Sequence, residues 1–197
     1  MNPQSALPNR RSEPFGLIAG WGRFPIVVAE ALKRQGYRVV CLGIANHADE
    51  QALGEVCDEF QSVGIARIGG QIRWLRRQGV RQATMAGKVF KTRLFERFTW
   101  LKNIPDWTCI RTFFPHFITK TKDRKDDTML MAVVNAYARG GVKLAAATDF
   151  APELLAAPGH VGGPQLSWGQ QKDIAFGFQL AKEMGRLDVG QSVAVKG

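Results

Sequence analysis

Phe15-Gly16-Leu17-Ile18-Ala19, running into Gly20-Trp21-Gly22-Arg23-Phe24-Pro25, is the stretch on which the fold turns. Residues 15–19 form an apolar run of the length of a buried strand. The glycines mark a tight turn. Pro25 stands where a first helical residue would, since its fixed φ suits that place and its missing N–H is not needed there. Val28, Ala31 and Leu32 fall on one face of the helix that follows, and Gly36 suits its C′ position. Arg38-Val39-Val40-Cys41-Leu42 reads as a second strand. Strand, glycine turn, helix and strand within about thirty residues make a βαβ unit with parallel strands.

Outward from this unit the rhythm repeats. Phe60–Val63 is a predicted strand, and Ile68, Ile72 and Leu75 mark a helix ending at Gly79 with Arg73, Arg76 and Arg77 on its outer side. Gln82–Ala86 is a further strand, followed at once by Gly87-Lys88. Alternating strands and helices with glycine turns predict a doubly wound α/β sheet. From Phe90 to Lys125 aromatic and basic residues interleave and acids are few. Asp126-Asp127 then introduce an amphipathic helix bearing Leu130, Val133, Val134 and Tyr137, closed by Gly140-Gly141. Val142–Ala147 is a predicted strand, Pro158 to Pro164 a loop, and Ile174, Phe178 and Ala181 mark a helix that stops at Gly185. Ser192–Val195 is the last predicted strand. The expected organisation is a loose tail over 1–14, a first domain over 15–122 and a second over 123–197.

The 197 residues suffice for one large domain or two small ones, and 45% apolar content fits a globular chain, not a disordered one. No run approaches the roughly 20 apolar residues of a membrane span, and the polar, proline-containing start lacks the apolar core of a signal peptide. The expected location is therefore the compartment of synthesis. Cys41, Cys57 and Cys109 are odd in number and widely spaced, as are His47, His116 and His160; free thiols and histidines in loops or at the surface are expected, with no zinc site. The net charge of +10 favours anionic partners such as nucleic acid, anionic lipid or a phosphorylated small molecule.

Four stretches can carry chemistry. Gly20-Trp21-Gly22-Arg23 at the start of a helix offers backbone N–H groups and a positive dipole end to a phosphate, or is a tight turn and no more. The dinucleotide fingerprint asks for a third glycine where Pro25 stands and an acid where Leu42-Gly43-Ile44 stand, which counts against NAD. Gly87-Lys88 would project to the same sheet edge, its lysine meeting a phosphate or only solvent. Asp126-Asp127 is a helix N-cap or part of a carboxylate cluster for Mg²⁺. The aromatic and basic stretch could stack single-stranded nucleic acid, embrace an anionic lipid, or supply core aromatics. No recognised nucleic-acid motif supports the first of these.

The order of motifs resembles the LpxI family of UDP-2,3-diacylglucosamine pyrophosphatases. The matching residues are Gly20-Trp21-Gly22-Arg23-Phe24-Pro25, Met85-Ala86-Gly87-Lys88-Val89, Asp126-Asp127-Thr128-Met129-Leu130, Pro152-Glu153-Leu154-Leu155, Asp173-Ile174-Ala175-Phe176-Gly177 and Leu187-Asp188-Val189-Gly190-Gln191. The resemblance implies an N-terminal Rossmann-like doubly wound parallel sheet, then the first part of a second α/β domain. It implies hydrolysis of UDP-2,3-diacylglucosamine to UMP and 2,3-diacylglucosamine 1-phosphate (lipid X), a step of lipid A synthesis, with Mg²⁺ as cofactor. Metal-assisted attack of water on a phosphorus would be the mechanism. Substrate would be held by Gly20, Trp21, Gly22, Arg23, Gly87, Lys88 and Gln191, and the metal by Asp126, Asp127 and Asp188. The expected place is cytoplasmic, peripheral at the inner membrane. The family continues past the Asp-Val-Gly-Gln motif to a Glu-Gly-Thr-Asp motif whose acid is thought catalytic. This sequence stops at Gly197, before that motif, so the catalytic residue is left unassigned. A truncated chain of this kind would expose a strand edge that invites homodimerisation, or persist as a non-catalytic module that binds nucleotide sugar or lipid.

Overall fold

The computed structural model describes residues 13–90, 104–117, 126–156, 159, 162–187, 189–190 and 192–196. The chain divides into two compact units, Met1–Leu155 and Ala156–Gly197.

The first unit is a five-stranded parallel sheet. Its strands are β1 (Pro14–Ala19), β2 (Arg38–Ile44), β3 (Glu59–Val63), β4 (Gln82–Ala86) and β5 (Lys143–Ala145), in the order β3-β2-β1-β4-β5. β1 and β2 are buried along nearly their whole length, as central parallel strands covered on both faces must be. Helices α1 (Phe24–Arg34) and α2 (Glu50–Val56) cover one face; α3 (Ile68–Arg77), α4 (Trp107–Phe117) and α5 (Asp126–Arg139) cover the other. α1 buries Pro25, Val28, Ala29 and Leu32, the i, i+3, i+4, i+7 stripe of an amphipathic helix. α3 likewise buries Ile68, Ile72 and Leu75. Gly36 takes φ +85 just past α1, as its C′ role requires. The doubly wound sheet read from the sequence is thus the observed one.

Three expectations need correction. The strand expected over Val142–Ala147 is only Lys143–Ala145; Ala147–Asp149 and Pro152–Leu154 are 3-10 turns. Ser192–Val195 forms no strand, since its alternating apolar residues pair with no neighbour among the described residues. The first compact unit reaches Leu155 and does not stop near Lys122. The physical reason is that β5 pairs with β4, while Phe150 joins Phe15 and Tyr37 in the core under α1, with ring centroids 4.5 Å from Phe15. Arg34 and Glu153 add an ion pair at 2.7 Å, and Gln35 donates to the Phe150 carbonyl.

In the second unit α6 (Trp168–Arg186) starts with a capping box. The Ser167 hydroxyl accepts from the Gln170 amide, and the Gln170 side chain accepts from the Ser167 amide. None of its residues is buried. Among the described residues, no helix is long and apolar enough to cross a membrane.

Candidate functional site

The strand order reverses between β1 and β4, and in such sheets ligands bind outside the carboxyl ends at that switch point. Ala19 and Ala86, the last residues of the two strands, are register partners. The turns that follow them therefore meet. The Gly20 amide donates to the Ala86 carbonyl at 2.8 Å, the Trp21 amide to Lys88 at 2.8 Å, and the Lys88 amide back to Trp21 at 3.0 Å. The closeness explains both glycines. A Cβ on Gly20 would lie 2.6 Å from the Lys88 carbonyl oxygen. One on Gly87, at φ +94, would lie 2.9 Å from backbone atoms of Gly20 and Trp21.

Gly22 differs. It takes φ +105 and a Cβ there would meet nothing within 4 Å. Its amide and those of Arg23 and Phe24 have no carbonyl partner among the described residues, and the first turn of α1 carries no acid. Pro25 is the second residue of that helix, not the first. Unpartnered N–H groups at the positive end of a helix suit an anion. Trp21, Gly22, Arg23 and Phe24 face Met85, Ala86, Gly87 and Lys88 across a cleft of ≈ 500 Å³ at the start of α1. The structure thus brings six of the expected residues (Gly20, Trp21, Gly22, Arg23, Gly87 and Lys88) to one edge.

His47 borders an adjoining cleft of ≈ 620 Å³ with Trp21, Arg23 and Asp49. It sits on a loop, as expected, but buried: its ring nitrogens face the Ala45 and Phe90 carbonyls at 3.1 and 3.3 Å, and the Phe90 ring stacks on it. Phe90 also meets Trp21 edge-on at 5.2 Å. His47 and Phe90 therefore prop the rim. The sequence signal for this pair was only an aromatic following Gly87-Lys88.

On the α5 side of the same edge lies an apolar cleft of ≈ 640 Å³. Ile18, Ile44, Val89, Phe113, Leu130 and Val133 are among its walls, and Met85, Ala86 and Gly87 border both it and the cleft at the start of α1. Leu130 and Val133, read from the sequence as part of an amphipathic helix, line this cleft, and Val133 also packs against the core. At its floor Tyr137 donates to Gln71 Oε1, while Gln71 Nε2 donates to the Gly64 carbonyl at 2.9 Å. Burial, then the charge of Asp106, pushes the Tyr137 phenol well above its usual range. Burial, then Asp106, also pushes the Cys109 thiol up to about 11. A hydrogen bond to Cys57, then burial, drives Cys41 far higher. Neither Cys41 nor Cys109 is poised as a thiolate nucleophile.

The three acids expected to hold Mg²⁺ are placed less fully. Asp126 and Asp127 open α5; Asp188 and the expected binding residue Gln191 lie outside the described residues. Among the described residues, no three His, Cys, Asp or Glu side chains converge as a metal site would require.

A parallel sheet in the order 3-2-1-4-5 defines a doubly wound, Rossmann-like class of α/β protein. The sequence matches the LpxI N-terminal domain over residues 14–154 and the LpxI C-terminal domain over 157–197. The chain belongs to the LpxI family. It is 26% identical over 183 residues to the UDP-2,3-diacylglucosamine pyrophosphatase LpxI of Caulobacter vibrioides, covering 92% of this chain and 61% of that protein. Among solved structures, a UDP-glucose-4-epimerase from Stenotrophomonas maltophila with bound NAD and formylated UDP-arabinopyranose matches with a TM-score of 0.39 at 12% identity, over 66% of this chain and 35% of that one. The fold assignment rests on the sheet order itself.

Proposed function

We propose that the crevice between β1 and β4 binds UDP-2,3-diacylglucosamine and serves hydrolysis of its pyrophosphate to UMP and 2,3-diacylglucosamine 1-phosphate. The observation that carries this reading is the shared border of the two clefts at Met85, Ala86 and Gly87. A ligand with a diphosphate beside acyl chains fits such a site: phosphates toward the amides of Gly22, Arg23 and Phe24, acyl chains toward Phe113, Leu130 and Val133. Arg23 and Lys88 would offset the diphosphate charge. The relative from Caulobacter supports the substrate. The chain spans 61% of that relative's length, so the activity belongs to the proposal.

The test is UMP release from UDP-2,3-diacylglucosamine by the 197-residue chain, with Mg²⁺ and with chelator, alongside lipid X binding. Turnover that needs Mg²⁺ and falls about 10-fold or more in Arg23→Ala and Lys88→Ala is the expected result, the loss matching one or more charge-assisted bonds. Lipid X binding without turnover would make the chain a binding module. Neither binding nor turnover would end the reading.

A further inference from the structure

We propose that the outer face of the α3–α4–α5 layer docks on a bilayer surface bearing anionic headgroups, with arginines in a cleft taking the headgroup and a ridge of α4 entering the interface. The cleft has a volume of ≈ 570 Å³ and is lined by Arg73, Arg76, Arg77, Arg111 and Arg139, with no carboxylate in its lining. All five arginines are exposed. Among the described residues none of them lies in an ion pair. Among the described residues Arg76 donates to the Gly141 carbonyl, at 3.4 Å. Asp106, which is not in that lining, accepts from the Gly70 and Cys109 amides, which ties the start of α4 to α3. Five guanidiniums this close, with no ion pair among the described residues, repel one another, so the face is complementary to a dense negative charge.

Charge alone would fit any polyanion. The second observation selects a bilayer. Trp107, Ile110, Arg111 and Phe114 occupy the i, i+3, i+4, i+7 positions of α4 and so share one side of it. Trp107 is 75% exposed, Ile110 43% and Phe114 45%, with Ile104 54% exposed just before the helix. A helix that turns tryptophan and aliphatic side chains outward beside a bank of arginines has the make-up of an interfacial helix lying in the headgroup plane. The residues lining this cleft line neither of the clefts at the switch point, so the proposal does not depend on the reading of that site.

The test is sedimentation of the 197-residue chain with phosphatidylcholine vesicles, with and without phosphatidylglycerol, in the absence of any nucleotide sugar. Co-sedimentation that requires phosphatidylglycerol and weakens with added salt is expected. The triple substitution Arg73→Gln, Arg76→Gln, Arg77→Gln should lower the partition coefficient about 100-fold, three cations each contributing about fivefold near the surface. Trp107→Ser with Phe114→Ser should lower it about tenfold or more by removing the inserted apolar area. All five positions are exposed, so circular dichroism should report an unchanged fold. Binding that ignores phosphatidylglycerol, or survives both sets of substitutions, overturns the proposal. So does binding of single-stranded RNA that the arginine substitutions abolish and Trp107→Ser leaves intact, in a chain that ignores vesicles. A wild-type dimer that Trp107→Ser converts to monomer, without vesicle binding, would make the face an interface between copies and overturn it equally.

Discussion

The sheet unit and helix α6 handle apolar side chains in opposite ways. In the sheet unit α1 and α3 each lay one apolar stripe on the strands, and β1 is buried on both faces. In α6, Ile174 and Phe178 lie on one side, Phe176 and Leu180 on the other, all exposed, and nothing is buried. A helix with apolar residues on two sides gains its stability from packing between neighbours, which its own cap cannot replace. The difference teaches that the order of the sheet unit is secured by its own core, whereas α6 is held here by local hydrogen bonds such as the Ser167–Gln170 box.

The sharpest way to break this contrast is amide hydrogen exchange. Amides of β1 and β2 should exchange only through global opening, and those of α6 faster by orders of magnitude. Equal protection would show that α6 is covered after all. Next in size is a pair of truncations followed by urea denaturation. Leu17→Ala should cost about 3 kcal/mol through the cavity it leaves, while Phe178→Ala should stay within about 0.5 kcal/mol. A similar loss in both would remove the distinction.

Within the sheet unit, Gly87→Ala should cost about 2 kcal/mol, since its Cβ would press on backbone atoms at a positive φ. Gly22→Ala should cost about 1 kcal/mol, because φ +105 is strained but the space is open. Thermal melts of the two variants check the order.

The smallest effect concerns pH. Asp58 accepts from Lys33 Nζ at 2.5 Å and from the Val39 amide at 2.7 Å. Burial works to raise its pKa, but these bonds and the charge of Arg38 outweigh it, and the carboxyl is held below its usual value. A carboxyl lowered in the folded state stabilises above its unfolded pKa of about 3.9, and that contribution fades as pH falls through the lower folded value. Asp58→Asn should therefore lose about 1 kcal/mol at neutral pH and show a shallower acid limb in urea melts. Glu183→Gln, which breaks only the exposed Arg186 pair in α6, should change neither.

Much of this was legible from residue spacing, because glycine and proline punctuate β1, α1 and β2 and the helical stripes are regular. α2 was not predicted: seven residues capped by Asp49 give too short a period to read. α4 hid in an aromatic and basic stretch with Pro115 inside it. Residues 91–103 and 118–125 of that stretch lie outside the described residues. The Gly20-Trp21-Gly22 and Gly87-Lys88 turns were readable as lying at one sheet edge. Their dependence on each other was not, since only the β1–β4 register brings them together. The apolar cleft also needed tertiary structure. Leu130 and Val133 have the same helical spacing whether they face a core or a cavity.

The Trp21–Lys88 backbone bridge has a consequence for how the edge of the sheet moves. It joins the loops after β1 and β4 into one lip, further clamped by the Phe90 ring between Trp21 and His47. Such a lip shifts as a unit, so a ligand arriving there has little loop entropy left to quench. A change on either loop is also transmitted to the other through two hydrogen bonds, without passing through the core.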